Sequence, residues 1–205
     1  VEGVKWNWTF RYPTGAESNV LHVPMGEPVE LLISSKDVLH SVFIPAFRVK
    51  QDAVPGRYTR LWFEATMPGE FPFYCTEYCG TSHSGMITKA KVYETRAEFD
   101  EWLKSALNPY EGKSPAEAGA LVWERKGCKP CHTNDGSNLV GPSFKGIWGA
   151  TREFEDGSTG TVDENYILES IQMPAAKIVK GYQNVMVANG GQELSDEERD
   201  FLVAY

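Results

Sequence analysis

The twelve residues from Cys75 to Met86 carry two thiols (Cys75, Cys79), an imidazole (His83) and a thioether (Met86). These are soft and borderline ligands of the kind that suits copper, zinc or iron–sulfur. The run follows an apolar, strand-like segment at 71–74 and is rich in Gly, Ser and Thr, which predicts a loop at a strand end. Such a loop can curl several side chains around one point. His40, in the segment Asp37-Val38-Leu39-His40-Ser41, is the best candidate for a further imidazole. Counting ligands separates the options. A tetrahedral zinc would take Cys75, Cys79, His83 and His40 and leave Met86 idle. A single blue copper would leave one cysteine idle. A Cys75–Cys79 disulfide would leave every other donor idle. Two copper ions bridged by both thiolates use the whole set. Each ion then takes one imidazole and one weak axial ligand, Met86 for one and a backbone carbonyl between the cysteines for the other.

The second constellation is Cys128-Lys129-Pro130-Cys131-His132. Cys-x-x-Cys-His is the attachment pattern of haem c, in which two thioether bonds anchor the vinyl groups and the adjacent His lies under the iron. A thioredoxin-like pair would sit in a βαβ pattern, and a zinc site would need a second cysteine pair; neither accompanies the motif. The chain has four cysteines, all within these two motifs, so none is left for a structural disulfide.

The elements that must position these groups read as two kinds. Trp6, Trp8 and Phe10 alternate with polar residues, the period of a strand with one aromatic face. Short strand-like pieces follow at 29–34, 42–44, 58–64, 70–74 and 87–93, separated by Pro-Met-Gly and Pro-Gly turns. Short strands at this spacing predict a Greek-key β-sandwich or barrel. His22 lies on a separate strand apart from the other ligand-type residues and reads as structural or surface. Thr95-Arg96-Ala97-Glu98 is a capping box that opens a helix carrying Phe99, Trp102, Leu103 and Leu107. The polar stretch 108–114 is the candidate linker. Ser114-Pro115-Ala116-Glu117 opens a helix to Lys126, which Gly127 stops. Further helices are predicted from Thr161-Val162-Asp163-Glu164 and from Ser195-Asp196-Glu197-Glu198. The expected organisation is an all-β, cupredoxin-like domain over 1–110 and a small all-α cytochrome c domain over 111–205.

The 205 residues suffice for two domains of about a hundred each. Mean hydropathy is −0.37, no run reaches the ~18 apolar residues of a membrane helix, and no signal peptide is visible. The chain opens at Val1 on a strand-like segment and closes in a helix of about two turns. The expectation is therefore a soluble fragment whose membrane anchor precedes it, with its C-terminus also cut. Residues 1–110 hold 11 basic and 13 acidic side chains, and 111–205 hold 9 and 15, net charges of −2 and −6. No basic stripe exists, which argues against nucleic acid. The acidic second half reads either as a solvated surface or, more sharply, as a dock for a basic donor protein.

Cys-x-Glu-x-Cys-x3-His-x2-Met, with a His some 35 residues upstream, resembles the copper A site of cytochrome c oxidase subunit II. The segments DVLHSVFIPAFRVKQDAVPG and KWNWTFRYP resemble the same family, and together the likeness covers roughly residues 1–95. It implies a dinuclear copper held by His40, Cys75, Cys79, His83, Met86 and the Glu77 carbonyl, with the Glu77 side chain facing a magnesium shared with subunit I. In that family an exposed indole of this motif passes electrons to the copper, which makes Trp6 a candidate entry point, unless the second half of the chain takes over that role. In c-type cytochromes the proline of a Gly-Pro pair after the motif accepts a hydrogen bond from the proximal His, which points to Pro142. The run YILESIQMPAAKIVKGYQNVM resembles the cytochrome c domain fused to some subunit II chains. There the axial Met follows Gly-Tyr, which favours Met186 over Met173, although Val187 stands where a Pro usually follows. The implied function is electron transfer from a small donor protein through haem c and copper to subunit I, in a proton-translocating oxidase on the outer face of the bacterial membrane. A nitrous oxide reductase would need more than the four histidines present. A copper-delivery protein would have no use for a haem.

Overall fold

The computed structural model describes residues 1–186 and 193–205, which form two compact units, Val1–Glu111 and Gly112–Tyr205. Among the described residues no helix is long and apolar enough to cross a membrane.

The first unit contains strands β1 (Glu2–Val4), β2 (Asn7–Arg11), β3 (Glu17–Ser18), β4 (Leu21–Pro24), β5 (Pro28–Ser35), β6 (His40–Ile44), β7 (Val49–Ala53), β8 (Thr59–Glu64), β9 (Gly69–Cys75) and β10 (Ile87–Tyr93). They build two five-stranded sheets, ordered β3-β2-β1-β5-β8 and β4-β10-β9-β6-β7. Most neighbours are antiparallel, but β1 runs parallel to β5 and β4 parallel to β10. The inner faces meet through aromatic side chains. Trp8 and Phe10 of β2 stand edge-on to Phe73 of β9, with ring centroids 5.3 and 5.2 Å apart. Ile33, Val42 and Ile44 fill the space beside them and are fully buried. Each such side chain contributes about 1.5–3 kcal/mol by removal from water.

Strand β7 was not anticipated. Its sequence, Val-Lys-Gln-Asp-Ala, is too polar to read as a strand, yet it pairs with β6 from Val49 to Ala53 as the sheet edge and turns Lys50 and Asp52 outward. Pro72 sits in β9 without breaking a ladder, because β6 pairs with β9 only at Tyr74 and Cys75.

Helix α1 (Arg96–Ser105) starts at the Thr95 capping box, with the Glu98 carboxylate accepting from the Thr95 N–H. It is shorter than its apolar spacing predicts. The Leu107 N–H turns back to the Lys104 carbonyl three residues earlier, and Leu107 is left exposed. The helix docks through Trp102, which stacks on His22 at 3.8 Å and 7° and stands edge-on to Tyr12 at 5.0 Å. His22 is thus structural, with its Nδ1 3.0 Å from the Tyr93 hydroxyl.

The second unit contains α2 (Pro115–Arg125), a hairpin of β11 (Thr151–Glu153) and β12 (Thr159–Thr161), α3 (Glu164–Gln172) and α4 (Asp196–Ala204). Capping boxes at Ser114 and Ser195 open α2 and α4. These helices cross at Gly119, where a Cβ would lie 2.0 Å from the Phe201 carbonyl oxygen. Lys126 ties the end of α2 to Glu198 of α4 at 3.1 Å, with both side chains largely buried. Two expectations need correction. The unit is not purely helical: residues 151–161 pair as a hairpin around a turn in which the Asp156 carboxylate caps the Ser158 N–H and Gly157 has φ +81°. And α3 is capped by Asp163, whose carboxylate accepts from the Tyr166 N–H, because Thr161 is committed to β12.

Candidate metal centre

The ladders of the second sheet bring three donors to one end. Val42 of β6 faces Cys75 of β9, so His40, two residues earlier, projects on the same face as Cys75. On the other side Ile87 of β10 faces Tyr74, and the Cys75 N–H donates to the Met86 carbonyl at 3.2 Å. His40, Cys75 and Met86 therefore sit at neighbouring strand ends. Cys79 and His83 come from the intervening loop. Gly80, at φ +116°, reverses the chain, the His83 N–H donates to its carbonyl at 3.0 Å, and a short 3-10 turn (His83–Gly85) returns to Met86.

The two sulfurs lie 3.8 Å apart, and both cysteines are free. Each faces its own imidazole. Cys75 Sγ is 3.7 Å from His40 Nδ1, and Cys79 Sγ is 3.3 Å from His83 Nδ1. Met86 Sδ is 3.8 Å from Cys79 Sγ, and the Glu77 carbonyl oxygen is 3.4 Å from Cys75 Sγ. His40, Cys75, Cys79 and Met86 are buried, while His83 and Glu77 are half-buried. The pattern is a pair of sulfurs with one imidazole and one weak donor on each flank. This donor set fits two bridged soft ions, with no side chain idle.

Electrostatics separate the two thiols. Burial alone would raise Cys75, but the His40 imidazole and the backbone bonds from Ser41 and Glu77 bring it below the ordinary thiol value. Burial and the adjacent Cys75 push Cys79 up to about 12. Burial and like charge therefore oppose ionising both thiols at once, a cost that bound cations would offset.

Sequence reasoning passed over the groups behind the ligands. Asp37 places Oδ1 2.8 Å from His40 Nε2, and these bonds outweigh burial to hold its carboxyl at about 2. Burial works against protonation of His40, yet the Asp37 and Cys75 contacts raise it overall. Trp8 stands edge-on to His40 at 5.9 Å. Trp6 is not the exposed indole that the resemblance implies. It is 8% exposed, and its Nε1–H donates to the Cys79 carbonyl at 3.1 Å. The exposed ring at this site is Tyr78, edge-on to His83 at 5.8 Å.

In the second unit, Cys128 and Cys131 follow the end of α2 and form no disulfide, with burial pushing Cys128 up to about 12. His132 Nδ1–H donates to the Pro142 carbonyl at 2.9 Å, which leaves Nε2 with its lone pair. Burial lowers the pKa of this imidazole against the opposing effect of the Pro142 bond. The ring packs on Phe144 at 4.7 Å and on Trp123 at 6.1 Å. Met173 is the C-cap residue of α3, and both Met173 and Met186 have exposed side chains.

The family model for the periplasmic domain of cytochrome c oxidase subunit II matches residues 15–92. Cytochrome c oxidase subunit 2 of Synechocystis sp. is 44% identical over 124 residues, covering 60% of this chain and 35% of that protein. The subunit 2 of Alkalihalophilus pseudofirmus is 33% identical over 210 residues, covering 100% of this chain and 59% of that one. The crystal structure of the periplasmic domain of subunit II of cytochrome oxidase from Bradyrhizobium japonicum aligns with a TM-score of 0.51 at 31% identity, covering 53% of this chain and 91% of that one. The chain thus spans between about a third and three fifths of these two curated relatives.

Proposed function

The chain belongs to the cytochrome c oxidase subunit II family, and from that premise we propose that it is the electron-transfer part of a haem–copper oxidase on the outer face of a bacterial membrane. Electrons would arrive from a small donor protein at the second unit, pass to the thiolate site of the first, and leave for subunit I, where oxygen is reduced. The observation that carries this reading is the pair of sulfurs 3.8 Å apart, each with its own imidazole at 3.3–3.7 Å.

His40, Cys75, Cys79, His83, Met86 and the Glu77 carbonyl would hold the copper pair. Bound there, the pair supplies one-electron storage shared between two ions. The protein's part would be rigidity: strand ladders fix His40, Cys75 and Met86, and the Gly80 turn fixes Cys79 and His83. Burial excludes water from the sulfurs. The Glu77 side chain is left for a magnesium shared with subunit I.

Cys128 and Cys131 would hold a haem c covalently, with His132 and Met186 as its axial ligands. The haem supplies a second one-electron centre. Pro142 fixes the His132 ring and its tautomer so that Nε2 can bind iron. The relative matched along the full length of this chain, itself a subunit 2, supports a two-unit chain of this kind. Metal analysis, the absorption spectrum of the copper-loaded chain and a pyridine-haemochrome assay test the reading. Two coppers, one covalent haem and visible to near-infrared bands of a mixed-valence thiolate pair are expected. One copper per chain, zinc in its place, or no covalent haem contradicts it.

A further inference from the structure

The carboxylate of Asp37 is shared between two arms. Oδ1 accepts from the Val38 N–H at 2.7 Å and lies 2.8 Å from His40 Nε2. Oδ2 accepts from the Lys5 N–H at 2.8 Å. Lys5 precedes Trp6, whose indole N–H reaches the Cys79 carbonyl at 3.1 Å and whose ring lies on Gly80. A hydrogen-bonded circuit therefore runs from His40 through Asp37 and the Lys5–Trp6 segment to Cys79. It joins donors from opposite flanks of the site, 39 positions apart in sequence.

We propose that Asp37 is a positioning residue of the metal centre. It holds His40 as the Nε2–H tautomer, so that Nδ1 faces Cys75, and through Lys5 and Trp6 it holds the Cys79 end of the loop.

An ionised carboxylate can only accept hydrogen bonds, so a 2.8 Å contact places the proton on His40 Nε2 and leaves Nδ1 for a metal. Such a partner also fixes the plane of the imidazole, and losing one typically weakens metal binding about 10–100-fold. The second arm needs the second oxygen. Asparagine is close in shape but offers one acceptor oxygen, and its NH2 cannot accept from either Lys5 or His40. Asp37→Asn therefore breaks one arm while filling the same space. Asp52 is the control: its carboxylate accepts from the Ser41 hydroxyl at 2.7 Å and has no bond to a donor of the site.

This inference rests on the copper reading, but its first test needs no metal. Long-range proton–nitrogen NMR of the metal-free chain, at a pH high enough for His40 to be neutral, should show the ring proton on Nε2, with the Trp6 indole proton protected from exchange. A neutral His40 with its proton on Nδ1, or a Trp6 indole exchanging as in a free peptide, overturns it. In Asp37→Asn the single tautomer should be lost, or Trp6 exchange should quicken on the order of 10-fold, with copper binding in a chelator competition weakened about 10–100-fold. Asp52→Asn should change none of these. An Asp37→Asn chain that keeps the His40 tautomer, Trp6 protection and copper affinity sinks the proposal. Failure of the unaltered chain to take two coppers would sink the functional reading and leave the NMR result to decide this one.

Discussion

Gly3 of β1 lies against the His40 imidazole. A Cβ at this position would stand 2.9 Å from His40 Cδ2 and 3.1 Å from Trp8 Cζ3, inside ordinary contact distance. The strand can pass behind the ligand only because it has no side chain there. Gly3→Ala should push His40 away from Cys75, destabilise the metal-free chain by about 1–3 kcal/mol and weaken copper binding at least as much as it lowers stability. Chemical denaturation and chelator competition measure the two effects. An unchanged copper affinity would show that the close approach is not required.

Gly141 plays the same part behind His132, where a Cβ would be 2.3 Å from Cε1. Gly141→Ala should displace the ring from the Pro142 carbonyl. Haem attached during expression in a host that matures c-type cytochromes should then lose its normal axial spectrum.

The distal ligand is tested by a pair of variants. Met186→Ala should abolish the methionine–iron charge-transfer band of the ferric protein, and Met173→Ala should leave it. The reverse pattern would move the assignment to Met173.

Acid should loosen the first unit through His22. Burial between Trp102 and Tyr93 lowers this imidazole from 6.5 to about 4, with Lys91 adding to the effect and Glu70 opposing it. Between those values the unfolded chain binds the proton and the folded one does not, so stability is full above about pH 6.5 and falls as pH drops toward 4. With the ring partly open to solvent, the loss is about 1–2 kcal/mol. Urea unfolding at pH 7.5 and pH 4.5, compared with His22→Gln, isolates it. A variant with the same pH slope as the parent would rule His22 out.

The parts legible in the sequence were those set within a few residues. Thr95, Ser114 and Ser195 announce their helices because a capping box is closed by a side chain three positions on. The loop from Cys75 to Met86 carries four of the donor side chains in one run. What needed the fold was any group whose partner is distant in the chain. Asp37 has no role in the sequence beyond its place near His40 until β1 brings the Lys5 N–H to it across 32 positions. Trp6 reads as one of three aromatic residues on a strand until the loop turns the Cys79 carbonyl onto its indole. The hairpin at residues 151–161 hides because two three-residue strands give too short a pattern.

The central claim is that both thiolates bridge two copper ions, and paramagnetic resonance of the copper-loaded chain tests it most directly. The account predicts a spectrum in which one unpaired electron is shared equally between two copper nuclei, with two coppers bound per chain. A spectrum with the electron confined to one copper nucleus, at one copper per chain, would contradict it.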